Sequence, residues 1–208
     1  MTVDSLFRPV VEDSRFVRKI AKFLANQGFT PNLLSILSLI FAIVSGFLFA
    51  VSDSSRVLLF LAGIFVGLNA VFDTLDGILA RSTKNATRKG DFLEHTFDRY
   101  ADVFIFLGII FGGYISWSIG IVAVVGVLLS SYIGVQAQAV GLKRVYGGVL
   151  GRADRLLLIL AATFLNTLYT KPVIASYSFL GLAILLTAFL SHLTAIQRFI
   201  YVWQRLSD

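Results

Sequence analysis

The chain has no cysteine. Disulfides, a thiol nucleophile and cysteine-ligated zinc are thereby excluded. Charge is also scarce: 14% of the 208 residues are Asp, Glu, Lys or Arg, against roughly a quarter in soluble domains. No internal repeat or low-complexity segment is present. The N-terminus is polar and charged and no A-x-A-like site follows it, so we expect no cleavable signal peptide. What is abundant is apolar surface. Hydrophobic residues make up 57% of the chain, and the mean hydropathy is +0.82. This is the composition of one polytopic membrane domain, with no room for a second. The net charge of +6 is not a nucleic-acid signal, because the basic residues fall in loops beside apolar runs. That placement reads as positive-inside topology and contact with anionic lipid.

All spans are expected to be helices, since only helices or closed barrels satisfy the backbone in lipid. Six are expected, near 31–52, 57–81, 91–114, 117–140, 153–170 and 174–200, each long enough for a hydrocarbon core of about 30 Å. Before them, residues 6–27 interleave Arg8, Arg15, Arg18, Lys19 and Lys22 with Phe16, Val17, Ile20, Phe23 and Leu24. That is the pattern of an amphipathic helix lying at the interface. The expected division is a cytoplasmic N-terminus with interfacial helix over 1–29 and an all-α six-helix integral domain over 30–208. Pro31 suits the first turn of the first span. The connections at 53–56, 115–116 and 171–173 hold only two basic residues, Arg56 and Lys171. The opposite side holds the N-terminal basic set, then Arg81, Lys84, Arg88 and Lys89, then Lys143, Arg144 and Arg152, then Arg198 and Arg205. This asymmetry predicts a cell-membrane protein with both termini, and the loop after the second span, in the cytoplasm.

Within these apolar segments lies the stretch DTLDGILARSTKNATRKGDFLEHTFDRYADV. Carboxylates inside membrane spans are expensive, and they face a bundle interior or a wet cavity. Asp73 and Asp76 are three apart; Glu94, Asp98 and Asp102 follow at intervals of four. Positions three or four apart share a helix face. Two helices therefore each present a ladder of carboxylates to a shared site. So many like charges call for a divalent cation or a pair, and hard oxygen ligands suit Mg²⁺, Mn²⁺ or Ca²⁺.

The same residues resemble the signature of the CDP-alcohol phosphotransferase family (CDP-alcohol phosphatidyltransferase class I), D-x2-D-G-x2-A-R-x8-G-x3-D-x3-D. The matching positions are Asp73, Asp76, Gly77, Ala80, Arg81, Gly90, Glu94 and Asp98, and seven of these eight agree. Glu94 stands where the family has Asp, which keeps the charge and adds a methylene. The resemblance implies a reaction: an acceptor hydroxyl attacks a CDP-linked lipid and CMP leaves. It implies Asp73, Asp76, Glu94 and Asp98 as ligands of Mg²⁺ or Mn²⁺, two ions per site, with Asp98 also the candidate general base. It places the cytidine and diphosphate against the small Gly77 and Ala80, a phosphate oxygen on Arg81, and a clear pocket at Gly90. The family resemblance also carries a homodimer. The run Glu-His-x2-Asp-Arg-Tyr-Ala-Asp is similar to archaeal members, whose donor is CDP-archaeol.

Other candidates stand on their residue types. Asn32 opens the first span, where it either hydrogen-bonds the nucleotide or serves the helix start. Asp102 is read as a site residue or as the partner of Arg99 or Arg155. Arg152 and Arg155 lie three apart on one face at the start of the fifth span. Two guanidinium groups there suit a phosphate-bearing acceptor. Glycerol 3-phosphate is placed first and inositol phosphate second, because choline or ethanolamine would call for an aromatic or acidic pocket. The competing reading is a cation-coupled transporter using the carboxylates as ion sites. Transporters of that kind tend to show inverted repeats and broken helices, and neither is visible.

Overall fold

A computed structural model describes residues 15–82 and 87–206. The first part of the expected amphipathic helix, residues 6–14, and loop residues 83–86, Lys84 among them, lie outside the described residues. Seven helices are described: α1 Arg15–Asn26, α2 Pro31–Ala50, α3 Arg56–Ser82, α4 Arg88–Phe111, α5 Trp117–Ala139, α6 Arg152–Leu168 and α7 Phe179–Trp203. No strand occurs among the described residues; a single bridge pairs Ile174 with Tyr177. The chain packs as two compact units, the first ending at Gly112 and the second starting at Gly113.

In the first unit, α1 ends where Gly28 takes φ +83. Its amide bonds Ala25 O at 3.0 Å and Phe29 N bonds Leu24 O at 3.0 Å, the paired bonds of a Schellman stop. The apolar side of α1 packs on the end of α3: Ala21 is buried with Leu75, Ile78 and Leu79, and Ile20, Leu24 and Phe29 close around them. Lys19 and Lys22 stay exposed, and so does Phe23 from the apolar set. Thr30 then caps α2 by accepting from Leu33 N at 3.3 Å, with Pro31 in the first turn.

Helix α2 is the hub, because α3 and α4 each pack along it. Apolar side chains gain little from association in lipid, so small residues and hydrogen bonds do the joining. The buried face of α2 is Ser35, Ser38, Ala42, Ser45, Gly46 and Phe49. Ser45 Oγ donates to Ala62 O at 3.0 Å. Ser38 Oγ donates to Asn69 O at 3.0 Å, and Asn69 Nδ2 returns bonds to Ser38 O and Oγ. Ser35 Oγ donates to Asp76 Oδ2. These rungs set α2 and α3 antiparallel. On the other side α4 runs parallel to α2 and touches it through backbone: a Cβ on Gly108 would strike the Gly46 backbone, and one on Gly46 would strike Phe104 O.

In the second unit, α7 packs on both α5 and α6. His192 Nε2 bonds Val122 O at 3.1 Å, so this histidine is a satisfied interhelical polar group, as a lone His in an apolar span suggests. Gly151 N donates to Asp154 Oδ2 at 2.7 Å, which caps α6.

The all-helical architecture matches the sequence reading, but the six spans do so only in part. Four helices, α2, α3, α5 and α7, are long and apolar enough to cross a membrane. Helix α4 is long enough, yet it holds Arg88, Lys89, Asp91, Glu94, Asp98, Arg99 and Asp102. Helix α6 has 17 residues and opens with Arg152, Asp154 and Arg155. The expected last span also begins too early. Ala175 and Ser176 take φ 46 and 76, so 174–177 is a tight turn and α7 starts at Phe179, capped by Ser178.

Candidate active site

The C-terminal turns of α3 and the N-terminal turns of α4, both of which carry acids, lie against the start of α2. Asp76 is the innermost, 2% exposed. Its Oδ2 accepts a 2.6 Å hydrogen bond from Ser35 Oγ. Its Oδ1 is buried without a hydrogen-bond partner. Glu94 and Asp98 lie near enough for their charges to act on Asp76. So the structure brings three of the four expected ligands into one electrostatic neighbourhood, from two helices. Asp73 is one turn earlier on α3 and half-buried. Among the described residues no group of three His, Asp or Glu side chains is drawn to ligating range of a common point.

The residues nonetheless fit a hard divalent cation. Every candidate donor is a carboxylate oxygen, the type such ions take. A buried carboxylate oxygen with no donor opposite it is costly, and Asp76 Oδ1 is such an atom, held in place through its sister oxygen.

The other expected residues surround this end. Asn32 Oδ1 lies 3.3 Å and Thr87 Oγ1 3.2 Å from the position a Cβ on Gly90 would take. Gly90 N also donates to Thr87 Oγ1 at 3.0 Å, which caps α4. Asn32 itself is exposed, and the helix-start role goes to Thr30 and Pro31. The Arg81 guanidinium folds back along α3 over Gly77, with Nη1 3.4 Å from where a Cβ would sit. Gly77 thus leaves open backbone beneath a cation, and Ala80 lies half-buried beside it.

Arg99 pairs with Asp98 rather than with Asp102: Nη2 donates to Asp98 Oδ2 at 3.2 Å. Adjacent residues on a helix diverge, but a long side chain closes this gap. Asp102 is 2% exposed, one turn deeper on α4. His95 lies on α4 one turn after Asp91, with Nε2 3.2 Å from Asp91 Oδ1. Arg152 and Arg155 belong to the second unit and share the first turn of α6; Arg155 is 4% exposed and Arg152 half-buried. A buried guanidinium is rare unless something anionic or polar is held there.

Ser35 is the residue that sequence reasoning missed. Its signal was available: it lies three residues after Asn32, on the same face of an apolar helix, and a serine buried there needs a partner.

Fold and site together define an all-helical integral membrane protein with an acid-lined site beside a helix start. The chain matches the family described as CDP-alcohol phosphatidyltransferase over residues 29–200, and it belongs to that family of phospholipid-synthesising transferases. It is similar to the archaetidylinositol phosphate synthase of Pyrococcus horikoshii, 31% identical over 93% of each chain. It is likewise similar to that of Methanothermobacter thermautotrophicus, 32% identical over 96% of this chain and 94% of the relative. Among solved structures it resembles Mycobacterium tuberculosis phosphatidylinositol phosphate synthase with CDP-DAG bound, at TM-score 0.75 and 26% identity. That likeness covers 94% of this chain and 100% of the other. The same enzyme in complex with manganese and citrate gives TM-score 0.74 at 27% identity, over 90% and 88%.

Proposed function

We propose that this protein transfers the lipid-bearing phosphate of a CDP-linked lipid to a hydroxyl of inositol phosphate, releasing CMP. The observation that carries the reading is Asp76, fixed by Ser35 through Oδ2 with Oδ1 buried and unpaired, and with the charges of Glu94 and Asp98 within reach of it. Asp73, Asp76, Glu94 and Asp98 would hold Mg²⁺ or Mn²⁺, a pair of ions in our reading. Such ions offset phosphate charge and screen the leaving group.

The chain's own residues do the rest. Gly77 and Ala80 let the diphosphate approach the α3 backbone, and the Arg81 guanidinium above Gly77 is placed to bond a phosphate oxygen. Asn32, against Gly90, offers an amide to the nucleotide. Asp98 takes the proton from the acceptor hydroxyl as its oxygen bonds the lipid-side phosphorus. The bond from that phosphorus to the CMP oxygen breaks, and CMP leaves with the electron pair. Arg99, on Asp98 Oδ2, orients that carboxylate. Arg152 and Arg155 hold the acceptor's phosphate.

The relatives reverse the acceptor order expected from residue types. Both archaeal relatives and the mycobacterial enzyme are named for inositol phosphate products, and glycerol 3-phosphate in first place gains no support. Two guanidinium groups recognise a phosphate without reading the polyol behind it, so the residues alone could not order the two. A match to a transferase family over most of the chain also leaves cation-coupled transport without support. We further propose α4 and α6 as the fifth and sixth spans, their charged turns at the cytoplasmic face.

The test is CMP release by the purified protein. Archaeol- and diacylglycerol-based CDP-lipids would be offered with inositol phosphate, glycerol 3-phosphate, free inositol or serine, with Mg²⁺, Mn²⁺ or chelator. Inositol phosphate with metal should give the fastest release. Preference for an unphosphorylated acceptor, or full turnover in excess chelator, would overturn the proposal.

A further inference from the structure

The second unit holds a pocket that this chemistry does not use. Residues 142–149, between α5 and α6, lie against the C-terminal turns of α7 and form with Gln197, Arg198, Tyr201 and Arg205 an open groove of about 790 Å³. The loop is pinned. Arg198 donates from Nε to Gly147 O at 2.7 Å, from Nη1 to Ser130 O at 2.6 Å and from Nη2 to Tyr146 O at 3.0 Å. Gly148 takes φ +138 against Thr194, and Thr194 Oγ1 accepts from Leu150 N at 3.0 Å. Arg198 thus works as a bracket, and the cavity wall is fixed before any ligand arrives.

The lining is cationic. Lys143, Arg144 and Arg205 join Arg198, and among the described residues no acidic side chain lines the groove. The Arg144 guanidinium lies 4.9 Å from the Tyr146 ring centre and that of Arg205 3.5 Å from the Tyr201 ring. Stacking holds each guanidinium plane against its ring, and Arg205 also donates from Nη1 to Tyr201 O at 3.3 Å, which fixes the group at the pocket wall. Positive-inside bias accounts for basic residues in this loop. It does not account for two guanidinium groups braced on aromatic rings around one cavity with a bracketed wall. A pocket of this size exceeds what a bare ion needs and suits a small organic ligand. Exposed Trp203, stacked on Phe199, marks this end of α7 as headgroup depth.

We propose that this pocket binds a phosphate ester at Lys143, Arg144 and Arg205, as a site separate from Arg152 and Arg155, neither of which lines it. Two sources present that chemistry: the headgroup of an anionic membrane phospholipid, and a free polyol phosphate. The inference does not depend on the proposed reaction.

The full-length protein in neutral phosphatidylcholine nanodiscs would be titrated with inorganic phosphate and with inositol phosphate by calorimetry. In a second arm, discs doped with phosphatidylglycerol would be analysed by native mass spectrometry for lipid retained on the protein. Lys143→Gln/Arg205→Gln should weaken binding in at least one arm by about tenfold or more, the size of one lost charge-assisted contact. Lys143→Arg/Arg205→Lys should keep it, and with inositol phosphate Arg152→Ala should remove the acceptor-site binding event while leaving this one. A response confined to retained lipid assigns the site to a headgroup; a response confined to the soluble probes assigns it to a free ester. Wild-type binding by the Gln double variant in both arms overturns the proposal. So does loss of every binding event, retained lipid included, in Arg152→Ala.

Discussion

Ser35 on α2 and Asp76 on α3, 41 residues apart, are joined by a 2.6 Å hydrogen bond from the Ser35 hydroxyl to Asp76 Oδ2. The bond turns the carboxylate so that Oδ1 is left for another partner. Ser35→Ala should therefore weaken metal binding as well as turnover. A charge-assisted hydrogen bond contributes about 1.5–3 kcal/mol, or roughly ten- to a hundredfold in affinity. Thermal stabilisation of the protein by Mn²⁺ measures this apart from catalysis. Ser35→Thr should recover most of the loss, and an unchanged Mn²⁺ dependence in Ser35→Ala would remove Ser35 from the site.

The acids themselves should divide by role. Asp73→Asn and Asp98→Asn should each abolish nearly all CMP release while the protein still inserts and folds. Glu94→Asp should stay active, because it restores the residue at which the chain departs from the family signature. Glu94→Gln keeps the shape and loses the charge, and should be severely impaired. Wild-type rates in Glu94→Gln would place that side chain outside the metal's reach.

Substrate-specific effects should separate the basic groups. Arg152→Ala or Arg155→Ala should raise the acceptor KM by about ten- to a hundredfold, from the loss of a contact worth about 1.5–3 kcal/mol. The KM for the CDP-lipid should move far less, while Arg81→Ala should show the opposite pattern. Lysine should rescue only partly at each position, since a point charge lacks the guanidinium fork. Steady-state kinetics with each substrate varied in turn decides this, and an acceptor KM untouched by both α6 variants would leave those arginines as topology signal only.

Packing gives a prediction independent of chemistry. A methyl on Gly108 would meet the Gly46 backbone, which cannot step aside without parting α2 from α4. Gly108→Ala should cost about 1–3 kcal/mol, the usual penalty of overpacking, and lower the melting temperature in detergent. Gly77→Ala meets only the flexible end of Arg81, at 3.4–3.8 Å. It should fold normally and show its defect in the CDP-lipid KM. Equal thermal loss in both would mean the α2–α4 crossing is looser than its geometry implies.

Much of this was legible in the sequence because the membrane narrows the choices. A run such as 117–140 can only be a helix, and α5 occupies Trp117–Ala139. Pro31 marked the start of α2 by its fit to a first helical turn. The acid spacing gave each of two helices one carboxylate-bearing face before any packing was known. Hydropathy alone is a poor guide where a helix carries charge: α4 bears the acids and falls outside the apolar spans, whereas Ile174-Ala175-Ser176-Tyr177 is apolar enough to pass for helix while turning back on itself. The Ser35–Asp76 bond was invisible for another reason: register between helices 41 residues apart is a tertiary fact, and no local period reports it.

The rungs between α2 and α3 have a developmental consequence for the site. Ser45 with Ala62, Ser38 with Asn69 and Ser35 with Asp76 behave as teeth on two racks. Each residue of slip turns a helix by about 100° and moves it about 1.5 Å, so a shift of one tooth would swing Asp76 away from Ser35 and from the acids of α4 together. The active centre is therefore positioned when these two neighbouring helices dock in the bilayer. One residue inserted between Asn69 and Asp76 would leave every functional side chain present and scatter the centre they form.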